Sequence, residues 1–312
     1  MSDPLRIVLV GAGRIARDHV RAIDVTEGAE LVAVVDPAEG AARTLAGDRD
    51  VVVADGLTAA LAAADASAAV IAAPTAEHVR LGLAALDAGL HVLVEKPVAP
   101  DRAGLERLVQ AGADRGRVVV SGQVLRFLPT VAAAREVIAG GGLGALEQAV
   151  ERRFEHRVID PAWPADLLLH HWGSHSLDLV LHLFSERLAS VLCRGGPGSV
   201  SLLGELQGGG SVSIAQSFSS RIPRHELLLV GDRGTLEFDG YRSVSVDGEV
   251  LVEAPEEEIL AAGFEAQLAD FVSAARDGRP ARAAAASVRP CVSALEAASR
   301  SLQTGRLAVV EA

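Results

Sequence analysis

The stretch Arg6–Ala16, RIVLVGAGRIA, decides the fold. Arg6–Val10 is a nearly unbroken run of β-formers, the pattern of a strand buried on both faces of a parallel sheet. Gly11-Ala12-Gly13 then turns the chain into a helix that the pattern starts at Arg14 and Ile15. Gly11 permits the tight turn. Gly13 has no Cβ to keep a pyrophosphate off the backbone, and Ala16 is small enough for the helix to lie close on the sheet. The first N–H groups of that helix lack internal partners, and its dipole favours an anion there. GxGxxA alone is a weak signal in an alanine-rich chain. It gains weight from Leu31–Asp36, LVAVVD, a second apolar strand ending in an acid 20 residues after Ala16. A carboxylate there can accept both hydroxyls of an adenosine ribose. An ordinary strand–turn–helix with an incidental aspartate would not require strand, glycines, helix, strand and acid in that order.

The 312 residues leave room for two domains of ~150 each. An apolar fraction of 49% argues for a large core and against disorder. The net charge of −12 makes nucleic acid and anionic membrane poor partners. Cys193 and Cys291 match no metal or redox spacing and read as buried thiols. No charged segment leading into an apolar core opens the sequence. The most apolar window, Leu57–Pro74, contains Asp65 and reads as helix then strand rather than as a membrane span. A cytoplasmic protein is expected.

Strand and helix patterns alternate as far as a sixth strand at Val118–Val120, the grammar of a doubly wound sheet. After a helix at Pro129–Ala139 the grammar changes. Ala145–Phe154 alternates like a strand, a helix follows at Gly173–Phe184, and seven strand-like runs succeed one another between Leu188 and Val252. Strands in series imply an antiparallel or mixed sheet. Helices at Glu256–Arg276 and Ser287–Gln303 and a short strand at Leu307–Val310 close the chain. The fold class is therefore α/β. A Rossmann domain over residues 1–122 is followed by an α+β domain over 123–312, with a large open, mostly antiparallel sheet. The last helices can pack back on the first domain. A sheet face those helices leave uncovered should be apolar and join copies into a homodimer or homotetramer.

Two loops follow the fourth and fifth strands, at the carboxyl edge where ligands bind in such sheets. Ala73-Pro74-Thr75-Ala76-Glu77-His78 is the first, with Thr75 placed to cap the next helix. Glu95-Lys96-Pro97 is the second. Lys96 can hydrogen-bond a substrate oxygen and stabilise an alkoxide during hydride transfer. Whether Pro97 is cis stays open. Together GAGRIA, Asp36, APTAEH, EKP and Arg126-Phe127-Leu128-Pro129 resemble the glucose–fructose oxidoreductase and inositol 2-dehydrogenase (Gfo/Idh/MocA) family over essentially the whole chain. The resemblance implies NAD, with NADP the alternative, and a hydride moved at a carbinol or carbonyl carbon. It places Gly11, Gly13, Arg14, Ile15, Asp36, Pro74, Thr75, His78, Glu95, Lys96 and Trp163 in contact with the cofactor or beside it.

Leu167–Asp178, LLLHHWGSHSLD, departs from the family's D-x-x-x-H-x-x-D. His175 and Asp178 match, and His171 stands for the first aspartate. Helical residues 171 and 175 would share a face. A histidine can take the proton released when a carbinol is oxidised. His170 and His182 read as structural. The His171/His175 pair has the i, i+4 spacing of metal ligands but no HExxH glutamate or third ligand, so no metal is expected. The double histidine resembles a branch that includes 4-carboxy-2-hydroxymuconate-6-semialdehyde dehydrogenase. Arg126, Arg152, Arg153, Arg157 and Arg221 could bind a carboxylate, though each reads first as a surface residue. The expected function is an NAD(P)-dependent oxidoreductase acting on a small cyclic polyol, sugar or hemiacetal, with Lys96, His175 and His171 catalytic. The alternative is a nucleotide-binding regulatory or scaffolding protein without turnover.

Overall fold

Apolar strands that alternate with helices bury both faces of a parallel sheet. The computed structural model, which describes residues 3–160 and 162–311, shows this at the start of the chain. Strands β1 (Leu5–Val10), β2 (Ala29–Val35), β3 (Val52–Ala54), β4 (Ala68–Ile71), β5 (His91–Glu95) and β6 (Val119–Gly122) lie in the order β3-β2-β1-β4-β5-β6, with every pairing parallel. Helices α1 (Ala16–Val25), α2 (Glu39–Ala46), α3 (Leu57–Ala63), α4 (Thr75–Asp87) and α5 (Arg102–Arg115) connect them. Strand order reverses between β1 and β4, and a crevice for ligand opens at that point in such sheets. Ile7, Val8, Leu9, Val70, Ile71, Val92, Leu93 and Val94 are fully buried there.

Two local expectations change. The first helix begins at Ala16, not Arg14, because Gly13–Ile15 form the turn that leads into it. Thr75 is the first helical residue of α4 and makes no capping bond; Pro74 occupies the cap position. At α5 the cap is real: Asp101 accepts from the Gly104 N–H at 2.7 Å.

The backbone groups into two compact units. One comprises residues up to Val124 together with Ala261–Val288, and the other Leu125–Leu260 together with the segment from Arg289 onward. In the first unit the returning segment finishes the sheet. Ser121 N–H donates to Ala283 O at 2.8 Å beside β6, and Phe264, on α8 (Glu256–Asp277), meets the ring of His19 edge-on at 5.3 Å.

The second unit holds helices α6 (Pro129–Ala139), α7 (Ser174–Phe184) and α9 (Arg289–Thr304) and a nine-stranded sheet. Its strands are β7 (Leu146–His156), β8 (Leu188–Gly196), β9 (Ser199–Leu206), β10 (Ser211–Ser217), β11 (Ser219–Gly231), β12 (Thr235–Asp239), β13 (Ser243–Val246), β14 (Glu249–Glu253) and β15 (Ala308–Val309). Their order is β14-β13-β12-β11-β7-β10-β9-β8-β15, and only β7 and β10 run parallel. Strict alternation gives one buried face, with Val200, Leu202, Val212, Ile214, Leu227 and Leu229. The other face is not the broad apolar surface expected. Register aligns Leu203, Ser213, Val150 and Leu228 in one row, Ser201, Ala215, Arg152 and Glu226 in the next, and Ser199, Ser217, Phe154 and Arg224 in a third. That face is serine-rich, crossed by a short apolar strip.

Candidate active site

In the first unit the β1–α1 turn approaches β4 so closely that only glycine fits at its start. Gly11 has φ +105°, and a Cβ there would run into the Ala72 carbonyl. A Cβ on Gly13 would meet nothing within 4 Å, so the backbone beside it is open to a ligand. Asp36 follows β2 directly. Ala12 N–H donates to its Oδ2 and Ala38 N–H to its Oδ1, both at 2.8 Å. These bonds aim the carboxylate while each oxygen keeps a further lone pair. Gly11, Asp36 and Pro74 line a cavity of about 1140 Å³ together with Asp55, Glu77 and Arg80. Asp55 and Glu77 add negative charge to the same lining, a grouping that no local pattern signals. Arg80 is engaged by Glu77, with Nε 2.7 Å from Oε2. The open backbone, aimed acid and cavity suit a dinucleotide with free ribose hydroxyls.

The loops after β4 and β5 are tied together from beneath. His78 is buried, and its two ring nitrogens lie 2.8 Å from Ala73 O and from Pro97 O. It bridges the two loops, a contact that sequence spacing could not show. The Lys96–Pro97 bond is cis. Glu95 is buried; its Oε1 lies 2.8 Å from His19 Nε2, and its Oε2 accepts the Lys96 N–H at 3.0 Å. Burial alone would push the Glu95 carboxyl up. The hydrogen bond and charge of His19, followed by Lys96, instead hold it below the usual carboxylate range. A Cβ on Gly122 would come within 2.8 Å of Glu95 Cα, so glycine there lets β6 close on the pair.

In the second unit residues 167–184 are continuously helical, with a π segment over Leu169–Gly173 leading into α7. Ser174 Oγ donates to His170 O at 2.8 Å and Ser176 Oγ approaches Trp172 O at 3.1 Å, so serines meet carbonyls of the widened turn. His171 sits in the π segment with its ring 5.9 Å from Trp172 and 6.2 Å from Phe218. Trp163 packs edge-on to Phe218 at 5.9 Å. His175, one turn on, instead lines a small cavity of mixed character, with Glu151, Arg153, Ser176, His225 and Tyr241 among its polar neighbours and Leu125, Leu128, Leu179 and Phe238 among its apolar ones. His170 is structural: its Nε2 lies 3.4 Å from Asp166 Oδ2 and from Ser299 Oγ on α9.

Four of the five arginines are engaged with neighbours, and Arg221 is exposed. Arg126 is buried, not a surface residue. Its Nε donates to Asp178 Oδ2 at 2.7 Å and its Nη2 to Oδ1 at 2.5 Å, a bidentate pair. Arg153 lies over Trp172, 4.5 Å from the ring centre, and donates to Tyr241 Oη at 2.7 Å. Arg157 lies over Phe218 at 4.8 Å and pairs with Glu155, and Arg152 pairs with Glu226. Both cysteines are buried and reduced, and burial pushes the Cys193 thiol up to about 11. Among the described residues no three His, Cys, Asp or Glu side chains are grouped to hold a metal, and no helix is long and apolar enough to cross a membrane.

A Rossmann sheet with an acid-capped second strand, together with a mixed nine-stranded sheet in a second unit, defines the class: a nucleotide-dependent α/β protein with an added α+β unit. The profile of the oxidoreductase family with an NAD-binding Rossmann fold matches residues 5–123. Over that stretch the chain is similar to the GFO/IDH/MocA family. Inositol 2-dehydrogenase of Streptomyces avermitilis is 35% identical over 196 residues, which span 61% of this chain and 56% of that protein. The 4-carboxy-2-hydroxymuconate-6-semialdehyde dehydrogenase of Sphingobium is 26% identical over 92% of this chain and 95% of its own length. Among solved structures, GenD2 from gentamicin A biosynthesis, in complex with NAD, superposes with a TM-score of 0.88 at 22% identity, covering 100% of this chain and 98% of that one.

Because the folded Glu95 carboxyl titrates below its unfolded value, its contribution to stability is complete above the ordinary glutamate pKa of ~4.3. That contribution is lost as pH falls through the lowered folded value. Urea unfolding of wild type and Glu95→Gln should differ by roughly 3 kcal/mol at neutral pH, and the gap should close in acid. A gap that stays constant down to pH ~2 would contradict the linkage.

Proposed function

We propose that the chain is an NAD-dependent dehydrogenase or reductase that moves a hydride between nicotinamide and the carbinol or carbonyl carbon of a small cyclic polyol, sugar or hemiacetal. One observation carries the reading. The sheet that presents Gly11 and Asp36 to a dinucleotide-sized cavity also fixes Lys96, by the Glu95 bond to its N–H, at the carboxyl end of β5. The relatives named above bear enzyme names, which counts against a scaffold without turnover.

NAD, when bound, accepts or returns the hydride. Gly11, Gly13, Arg14 and Ile15 take its pyrophosphate, and Asp36 its adenosine ribose hydroxyls. Pro74, Thr75, Glu95, Lys96 and Trp163 border it, while His78 holds the loops that carry them. Loss of hydride from a carbinol leaves an oxygen whose proton must leave. His175 accepts that proton, since imidazole titrates at ~6.5. Lys96 donates to the oxygen and lowers the energy of the developing alkoxide. His171, held among aromatic rings, orients substrate.

On whichever carbinol or carbonyl a substrate panel reveals, Lys96→Ala and His175→Ala should each lower kcat by roughly 10²-fold or more. His171→Ala should cost less, and NAD affinity should survive both histidine changes. A fully active His175→Ala beside a dead His171→Ala would reassign the base.

The cofactor is NAD rather than NADP, because Asp36, Asp55 and Glu77 line the cavity and repel a 2′-phosphate. Arg43 is already held by Glu39, with Nη2 2.5 Å from Oε1. Calorimetric titration should show NAD bound more tightly than NADP by wild type, with the ratio narrowed in Asp36→Ala. Tighter NADP binding by wild type overturns this choice.

Copies associate as a homodimer or homotetramer through the serine-rich face of the nine-stranded sheet, where the strip of Leu203, Val150 and Leu228 is the apolar part. Light scattering at micromolar concentration should return two or four times the chain mass. A single-chain mass rules the assembly out.

A further inference from the structure

The buried face of the nine-stranded sheet is apolar except at one place. Register sets Glu151 opposite Ile214 and Leu227, and Arg153 opposite Gln216 and His225. Glu151 is almost fully buried, and no sequence motif includes it. Its Oε1 accepts from Ser176 Oγ at 2.5 Å and its Oε2 from Gln216 Nε2 at 2.9 Å. Ser176 is the residue after His175 on α7. The side chains of Glu151, His175 and Ser176 line the same cavity, of about 20 Å³. The lining also includes Leu125, Leu128, Leu179 and Phe238, and the volume suits one water molecule held on the polar side.

We propose that Glu151 and His175 form a coupled acid–base pair bridged by one water, so that the carboxylate stabilises the imidazolium and the two groups share a single proton. Glu151 is then a positioning residue acting through His175, and the inference rests on the reading of His175 as proton acceptor. During carbinol oxidation the substrate O–H bond breaks and an N–H bond forms on His175. That proton moves through the water to a Glu151 oxygen and back, and leaves from His175 once product has gone. Reduction runs the same path in reverse.

The surroundings favour the coupling. Arg153, from β7, faces the cavity, donates to Tyr241 Oη and lies over the face of Trp172, and its charge also draws the Glu151 carboxyl down. His225, from β11, is lowered to about 3 by burial and by Arg153, so it stays neutral. Burial likewise pushes up the Tyr241 hydroxyl, which faces Glu256 as well as Arg153 and Glu151. Asp178, next along α7, is committed to Arg126. Burial pushes the Glu151 carboxyl up, against the pull of Ser176, Arg153 and Gln216, and so toward the range in which imidazole titrates. Two titratable groups that share one cavity and interact give macroscopic steps that belong to the pair.

The test is an NMR titration of the full-length protein with ¹⁵N-labelled histidine, His175 being assigned by its absence in His175→Gln. In wild type, His175 should titrate in two steps. Glu151→Gln keeps the shape and the Ser176 bond but removes the charge. It should turn the curve into one step with its midpoint lower by about one pH unit or more, and Glu151→Asp should restore part of the shift. A single-step wild-type curve overturns the pair without recourse to any variant. So does an unmoved midpoint in a Glu151→Gln protein with wild-type circular dichroism. The acid limb of kcat/KM should move with the NMR midpoint. If the midpoint moves and the limb does not, the pair stands and the assignment of His175 as the base falls.

Discussion

A carboxylate taken out of water must be met by donors or it ceases to be charged. Four buried acids among the described residues impose that requirement, and three of them stand next to a side chain proposed for chemistry. Glu95 precedes Lys96 and is met by His19 and a backbone N–H. Asp178 lies on α7 and is met by both arms of Arg126. Glu151 reaches α7 through Ser176 and is met again by Gln216. Losing one partner of a buried pair costs ~3–5 kcal/mol, so each acid fixes its neighbourhood within its own unit. Lys96 and His175 therefore project from backbones that the buried charges hold in place.

The same requirement explains which residues are tolerated around these acids. Glycine at 122 lets β6 lie against Glu95, where any side chain would collide with its backbone. The π segment before α7 widens the helix, and Ser174 and Ser176 approach the carbonyls it exposes. Ser176 thereby serves the helix and the acid at once, which leaves little freedom for another residue at that position.

Sequence carried the order of elements because that order is written in local periodicities, while the helix that runs from residue 167 and strand β11 each begin six residues before their local patterns. β1, α6 and β13 lie where apolar runs, proline and glycine put them, and Gly11 and Asp36 were readable from order and spacing alone. Contacts between distant segments were not readable. Arg126 and Asp178 are 52 residues apart, and nothing local marks Arg126 as buried. Glu151 did leave a trace. In Ala149–Arg153 the charges at 151 and 153 share parity with Ala149, on the inward side of the strand. A charge on the inward side of a half-buried strand signals a polar interior, but only once the buried face is known. Thr75 shows the converse, a residue with capping chemistry set one position past the cap.

The first unit is assembled from two separated stretches of chain. Its sheet edge at β6 is met by Ala283, and the ring of His19 by Phe264. Both residues emerge from the ribosome only after the whole nine-stranded sheet except its last short strand has been made. Domains generally complete in order of synthesis, yet here the amino-terminal unit stays unfinished until some 280 residues exist. Until then its edge strand is bare to other chains, and the aromatic neighbour of its buried histidine is missing. The two units are thus interleaved in the order of biosynthesis: the first is completed only after Leu260 has been made, and the second only after the first has been completed.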